Sequence, residues 1–188
     1  MRFSLPPPGV QVVLLALVLA AAVFDVRYRR IPNWLTICGV VVGIGLNAFL
    51  SQSLHGRGMF QASLIGMGAA FAVYFVLYAL RAMGAGDVKL MAAVGAVVGW
   101  PNWFGIFIVT AILGGVMALI LVAMRKRFKK TIFNVGFIMN EMKSGRPAYM
   151  GKEELDVRSP KAMGLPHGAV IAIGTLFFLA AAAHFVAN

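Results

Sequence analysis

Long apolar runs constrain the fold of this sequence more than any other feature. Six runs are long enough, or nearly long enough, to cross a bilayer at about 20 residues per crossing. They cover residues 9–24, 34–50, 60–80, 88–100, 103–124 and 166–186. Since 61% of the 188 residues are hydrophobic and only 12% are charged, a soluble domain could not bury this much apolar surface. The sequence predicts an all-α integral membrane protein, a single bundle of six transmembrane helices over residues 1–188.

The fourth run, residues 88–100, is short and rich in glycine and alanine. Small residues let helix backbones approach closely in a membrane, so this run predicts a helix packed inside the bundle.

The basic residues predict the orientation of the bundle. With the N-terminus outside, the loops 25–33, 81–87 and 125–165 face the cytoplasm. Counting Lys89 with the second loop, they hold 15 of the 17 basic residues, whereas the opposite orientation would break the positive-inside rule. The net charge of +11 therefore reflects topology, and it does not indicate a nucleic-acid partner.

The first apolar run has a second interpretation. It ends in Ala20-Ala21-Ala22, which is typical of a cleavable signal peptide. However, Arg27, Arg29 and Arg30 follow at once, and such a positive cluster resists translocation. A retained first helix is the favoured interpretation.

Two acidic residues stand apart from the other four. Four of the six lie between Glu141 and Asp156, whereas Asp25 and Asp87 each lie alone at the end of an apolar run. Ionisable residues at such positions are functional candidates, because burying an unpaired charge is costly. In the predicted topology, Asp25 ends helix 1 and Asp87 opens helix 4 on the same side. Two carboxylates that meet can form an aspartic protease pair, in which like charges make one acid hold a proton.

Residues with special backbone properties flank both aspartates. Pro32 suits the first turn of helix 2, where its missing N–H costs nothing. Gly84 and Gly86 allow a tight turn and a close approach to a neighbouring backbone. Lys89 could steer substrate or balance charge, although two residues along a helix it would not face Asp87.

Each aspartate also has a plainer interpretation. Asp87 could be an ordinary helix N-cap, a position that Asp favours. Asp25 could be a solvated charge paired with Arg29. The occurrence of two lone carboxylates on one membrane face favours a functional site.

Other residues support local expectations. His167 is expected to start the last helix, and the alternative is that it lines the site. Trp100 and Trp103 are expected to anchor the outer interface, and Cys38 to be a small buried apolar residue. One cysteine and three scattered histidines predict no disulfide and no zinc site. Hydrolysis by two aspartates would require no other cofactor.

The cytoplasmic insert of about residues 125–165 begins with a basic amphipathic pattern. Apolar residues recur there at spacings of three and four, namely Phe128, Ile132, Val135, Met139 and Met142. The charged remainder comprises Arg127, Lys129, Lys130 and Lys143. This pattern predicts a helix lying on the anionic inner leaflet, followed by an irregular loop over 144–161.

Three segments resemble the landmarks of the type IV prepilin peptidases, the G-x-G-D membrane aspartyl proteases. They are Asp25-Val-Arg-Tyr-Arg-Arg-Ile-Pro-Asn33, Gly84-Ala-Gly-Asp-Val-Lys-Leu90 and Leu165-Pro-His-Gly-Ala-Val-Ile-Ala-Ile-Gly174. The resemblance implies that Asp25 and Asp87 are catalytic, with five supporting residues: Gly84, Gly86, Lys89, Pro32 and Asn33. It implies cleavage of the basic leader of prepilins at the cytoplasmic face of the bacterial inner membrane.

The bifunctional members of that family carry a large cytoplasmic loop with paired C-x-x-C zinc ligands, and they also methylate the new pilin terminus. This chain has one cysteine and only nine residues, 25–33, after the first apolar run. It therefore resembles the short, peptidase-only branch associated with tight-adherence (Flp) pili.

Two other functions remain open from the sequence. A protease of the presenilin or signal-peptide-peptidase type would share the G-x-G-D chemistry, but it would lack the Asp25 to Asn33 signature. A proton-coupled transporter could also use two membrane aspartates. It would favour acids at mid-bilayer, discontinuous helices and an internal repeat, none of which is evident in the sequence.

Overall fold

The computed structural model describes residues 5–53, 58–125, 129, 131–134, 136–137 and 166–187. In these ranges the regular secondary structure is entirely helical. The long helices are α1 (Pro8–Tyr28), α2 (Asn33–Ser53), α3 (Gly58–Ala79), α4 (Ala85–Met124) and α5 (His167–Ala187). Within this described part, all five are long and apolar enough to cross a membrane. The prediction of an all-α membrane bundle is confirmed.

Helix α4 contains two of the predicted crossings. Its 40 residues would extend about 60 Å if straight, twice the thickness of the hydrocarbon layer. The helix is broken at Gly99, where φ is 76° and ψ is 170°, and Pro101 follows within two residues. We call residues 85–98 the first arm and residues 100–124 the second arm.

The two arms of α4 run in opposite directions. The first arm and α5 begin at the same end of the bundle, since their first turns interact electrostatically. Along α5, Val170 lies near Gly114, whereas the later residue Gly174 packs against the earlier residue Thr110. The second arm is therefore antiparallel to α5 and returns toward the end where the first arm started.

The first arm lies at the centre of the bundle. Every residue from 90 to 99 is buried, which confirms the prediction for the fourth apolar run. Helix α3 packs against this arm backbone to backbone. A Cβ added at Gly66 would lie only 2.6 Å from the Gly95 carbonyl oxygen, so this approach requires glycine.

Polar side chains from two neighbouring helices support the break in α4. Pro101 has no N–H to donate to the carbonyl of Val97, so the last turn of the first arm needs other donors. Asn47 on α2 donates its Nδ2 to the carbonyls of Ala96 (3.2 Å) and Val97 (2.9 Å). Ser63 on α3 donates its hydroxyl to the same Ala96 carbonyl. These bonds connect three helices at the buried end of the arm.

Helix α1 contributes to the protein core. Val10, Leu14 and Val18 recur at a spacing of four on one face, and all three are buried. This packing supports the interpretation of the first apolar run as a retained helix.

Two expectations about single residues are wrong. Cys38 is exposed on α2 and is not a buried residue. Trp103 is 1% exposed and stacks on Phe107 with a centroid distance of 5.6 Å, so it belongs to the core and does not anchor the interface. Trp100 is half-buried beside it, at 5.6 Å. In a membrane protein, apolar side chains face lipid or protein equally well, so residue type does not reveal burial.

Most of the predicted amphipathic segment lies outside the described residues. Ile132, from its predicted apolar face, is helical and exposed. The contact of this segment with the anionic leaflet and the loop over 144–161 stay predictions. The following predicted side chains lie outside the described residues: Arg127, Phe128, Lys130, Val135, Met139, Met142, Lys143 and the acidic cluster from Glu141 to Asp156.

Candidate active site

Asp25 lies in the last turn of α1. The N–H of Arg29, in a left-handed conformation with φ 53°, donates to the Asp25 carbonyl and ends the helix. The Asp25 side chain is only 9% exposed, and its Oδ2 accepts the backbone N–H of Gly168 at 2.7 Å. Gly168 belongs to the first turn of α5, where the helix dipole favours a negative charge. Asp25 is therefore not the solvated surface charge that the sequence left open.

Gly168 is in atomic contact with Asp25. A Cβ added at Gly168 would lie 3.0 Å from both Cβ and Oδ2 of Asp25, which is closer than ordinary van der Waals contact. A larger residue at this position would require the Asp25 carboxylate to shift relative to the N–H that binds it. Gly168 belongs to the third landmark segment of the sequence, but no role was predicted for it. A glycine in the first turn of an apolar helix was the available signal.

Asp87 is the third residue of α4. Its Oδ2 accepts the backbone N–H of Gly84 at 3.2 Å, and the Asp87 N–H donates to the Gly84 carbonyl at 3.2 Å. Asp87 therefore does cap the helix, but from its third position and not as the N-cap residue. A Cβ at Gly84 would lie 3.3 Å from the Asp87 Oδ2, so a small residue keeps this contact unstrained.

The loop after α1 packs on the first turn of α4. A Cβ at Gly86 would lie 3.3 Å from the Cβ of Ile31, so Gly86 permits a close approach to that side chain. Lys89 donates its Nζ to Asn33 Oδ1 at 2.9 Å, which joins α4 to the first residue of α2. Pro32 lies just before α2, one residue ahead of its predicted first-turn position. Gly86, Lys89 and Asn33 thus connect the two segments that carry the aspartates, whereas Gly84 contacts Asp87 within its own segment. The supporting roles of all five residues stay predictions.

The two aspartates and His167 lie at one end of the bundle, near enough for their charges to interact. Asp87 interacts electrostatically with both Asp25 and His167, the first residue of α5. Each carboxylate has its Oδ2 bound by a backbone N–H. Two carboxyl groups whose charges interact in this way could share one proton and activate a water molecule.

Tyr74 is a residue near the site that sequence reasoning missed. It lies on α3, is almost fully buried, and interacts electrostatically with Asp87. Its ring packs edge to face on Phe107, at a centroid distance of 6.0 Å. A hydroxyl-bearing aromatic residue inside an apolar run was the only signal for it.

Metal ligands do not cluster in the part of the chain that the structure describes. No group of three His, Cys, Asp or Glu residues there could hold a metal ion. The expectation of a site without a metal or cofactor stays a prediction for the whole chain.

Comparison with known protein families gives a match over much of the chain. The model of the type IV leader peptidase family matches residues 12–119, which is more than half of the chain. The matched range includes both Asp25 and Asp87, and it extends from α1 into the second arm of α4. No curated protein and no solved structure matches the chain.

Proposed function

Because the chain belongs to the type IV leader peptidase family, we propose that it is an aspartic endopeptidase with Asp25 and Asp87 as its catalytic pair. Family membership supports a membrane protease of the leader peptidase type. The single observation that carries the aspartic assignment is that two carboxylates lie at one end of the bundle, near enough for their charges to interact, each with one oxygen bound by a backbone N–H.

The chemistry follows from two carboxyl groups that share one proton. The ionised carboxylate takes a proton from a water molecule, whose oxygen then bonds to the scissile carbonyl carbon. The protonated partner donates a hydrogen bond to the carbonyl oxygen and stabilises the tetrahedral intermediate. When the C–N bond breaks, the acid that took the proton returns it to the leaving nitrogen. The Gly168 and Gly84 N–H groups would orient the carboxylates throughout.

The proposed substrates are prepilins of the Flp type, cleaved between a basic leader and an apolar helix. The short loop after α1 and the single cysteine support the peptidase-only branch. Residues 25–33 hold three arginines and lie at the same end of the bundle as the aspartates. By the positive-inside rule, this supports a site at the cytoplasmic face of the bacterial inner membrane. The proposed partners are the precursor and the anionic inner leaflet, with no nucleic acid.

Co-expression with a Flp-type prepilin tests this function. The wild-type protein should remove the leader, which a mobility shift on a gel reports. Asp25→Asn and Asp87→Asn should each lower the rate by roughly a thousandfold or more, because neither carboxyl alone can exchange both protons. Thr110→Val is a matched control, since it removes a buried hydroxyl that has no hydrogen-bond partner in the described structure.

The amount of each variant protein in the membrane decides how the gel is interpreted. Both aspartate variants should insert normally, because removing a charge at the membrane boundary does not oppose insertion. A well-inserted Asp25→Asn or Asp87→Asn protein that processes the precursor at the rate of Thr110→Val would remove that residue from the mechanism.

A further inference from the structure

An open trough lies between α2, α3 and the first arm of α4. Its volume is about 340 Å³. The α2 residues that line the trough recur every four positions. One face of that helix therefore forms a side of the trough over about 12 Å. The lining includes Asn33, Ile37, Val41, Phe71, Lys89 and Ala92.

The trough is polar at one end and apolar along the rest of its length. Its polar end is the hydrogen-bonded pair of Asn33 and Lys89, at the end of the bundle that holds the aspartates. Beyond that pair the lining is aliphatic and aromatic except for Thr36, whose hydroxyl donates to the Asn33 carbonyl at 3.0 Å. Ile37, Val41 and Phe71 are exposed, and in a bilayer they would face the hydrocarbon. The trough thus extends from the interface into the membrane and is open to its side.

The polar end of the trough is built from the two segments that carry the aspartates. Asn33 closes the loop that follows Asp25, and Lys89 lies two residues after Asp87. Residues two apart on a helix point to nearly opposite sides, so the trough and the carboxylates flank the first turn of α4. Between them lies Gly84-Ala85-Gly86, where the largest side chain is a methyl group.

We propose that this trough binds the apolar helix of the precursor, an inference that rests on the proposed function. From the trough, the precursor would cross Gly84-Ala85-Gly86 as an extended segment and present its scissile bond to the carboxylates. Three extended residues span about 10 Å, which matches the diameter of a helix. The carbonyl groups of these three extended residues would have no hydrogen-bond partners within a helix. The Lys89 Nζ has N–H groups besides the one that binds Asn33, and these could donate to the carbonyls.

Cross-linking tests the position of the precursor helix. The enzyme carries Cys38→Ala to remove the exposed native thiol, and Asp87→Asn to keep the precursor uncleaved. A cysteine replaces Val41 in the trough or, as a matched control, Ile173 on α5; these side chains are 64% and 50% exposed. A prepilin with one cysteine in the first two turns of its apolar helix should cross-link to the Val41→Cys protein and not to the Ile173→Cys protein.

Kinetics of the enzyme with both aspartates intact provide a second test. Val41→Trp should fill the trough and raise KM for the precursor about tenfold, with kcat within about twofold of wild type, because it removes binding and leaves the carboxylates in place. Ile173→Trp should change neither constant.

The two proposals fail in different ways. Cleavage by the Asp87→Asn protein would appear as leader loss and would overturn the proposed function. The proposal for the trough alone would be wrong if the Val41→Cys protein formed no cross-link to uncleaved precursor, or if Val41→Trp left KM unchanged. Lipid would then be the occupant of the trough.

Discussion

Asp25 and Gly168 fit against each other at contact distance, which makes Gly168 the most sensitive test of the site outside the carboxylates. A methyl group at Gly168 would lie 3.0 Å from Asp25 Oδ2 and would displace the carboxylate from the N–H that binds it. We expect Gly168→Ala to lower prepilin cleavage at least about tenfold, since a small misplacement of a reacting group costs up to about a hundredfold in rate. Leader removal per amount of inserted protein measures this effect.

Gly45→Ala provides the control for that change. Nothing lies within 4 Å of a Cβ at Gly45, and the substitution should stabilise α2 by about 0.5–1 kcal/mol. Its cleavage rate should equal that of wild type. If Gly168→Ala were as active as Gly45→Ala, the contact with Asp25 would have no bearing on catalysis.

The sequence identifies some residues of the candidate site but not the contacts that they make. Asp25 and Asp87 could be identified because an isolated charge in an apolar run is conspicuous and costly to bury. The bond between Lys89 and Asn33 joins residues 56 positions apart, and no local pattern indicates it. The contact of Gly168 with Asp25 depends in the same way on how α5 meets α1.

The break in α4 gives a prediction at the scale of helices. Asn47→Leu would leave the carbonyls of Ala96 and Val97 without the amide that binds them. A buried acceptor that loses its partner costs about 1–3 kcal/mol, so this variant should unfold at a clearly lower temperature in detergent. Thermal unfolding of the purified protein measures the difference.

Asn102→Leu is the matched substitution for Asn47→Leu. Asn102 is also buried, but its Oδ1 has no hydrogen-bond partner among the described residues. Replacing it with an apolar side chain should leave stability nearly unchanged or raise it. Equal losses in the two variants would show that Asn47 contributes through its volume alone.

The helices could be predicted from the sequence more completely than their packing. Apolar run length identifies the crossings, and Gly99 with Pro101 marks the division between the fourth and fifth runs. The apolar run at 103–124 gave no indication that Trp103 faces protein. In a membrane helix, residues that face lipid and residues that face protein are equally apolar. Small residues were more informative, since they identified the first arm of α4 as the central helix.

Orientation is a property of the whole molecule, and it determines where the proposed site can act. Gln52 lies at the end of α2 far from the aspartates, and Ala82 lies in the loop that leads into α4; both are exposed. In a Cys38→Ala background, a membrane-impermeant thiol reagent added to intact cells should label Gln52→Cys and not Ala82→Cys. This outcome follows from the excess of basic residues at the end that holds Ala82.

Permeabilised cells give the control for that labelling. Ala82→Cys should react once the reagent can enter, which would show that the residue is accessible from the cytoplasm. Labelling of Ala82→Cys in intact cells, with protection of Gln52→Cys, would put the aspartates on the outer face. The prepilin proposal would then be wrong.

The hydrogen bond between Gly168 and Asp25 also has a consequence for how the protein is made. It joins residues 143 positions apart. Asp25 therefore leaves the ribosome well before the start of α5 is synthesised. Until that last helix enters the bilayer, Asp25 lacks its backbone donor and His167 is absent from the neighbourhood of Asp87. If the two aspartates cleave as proposed, the order of synthesis would keep a partly made chain from hydrolysing its neighbours. We expect a chain shortened before α5 to lose cleavage activity although it retains both aspartates.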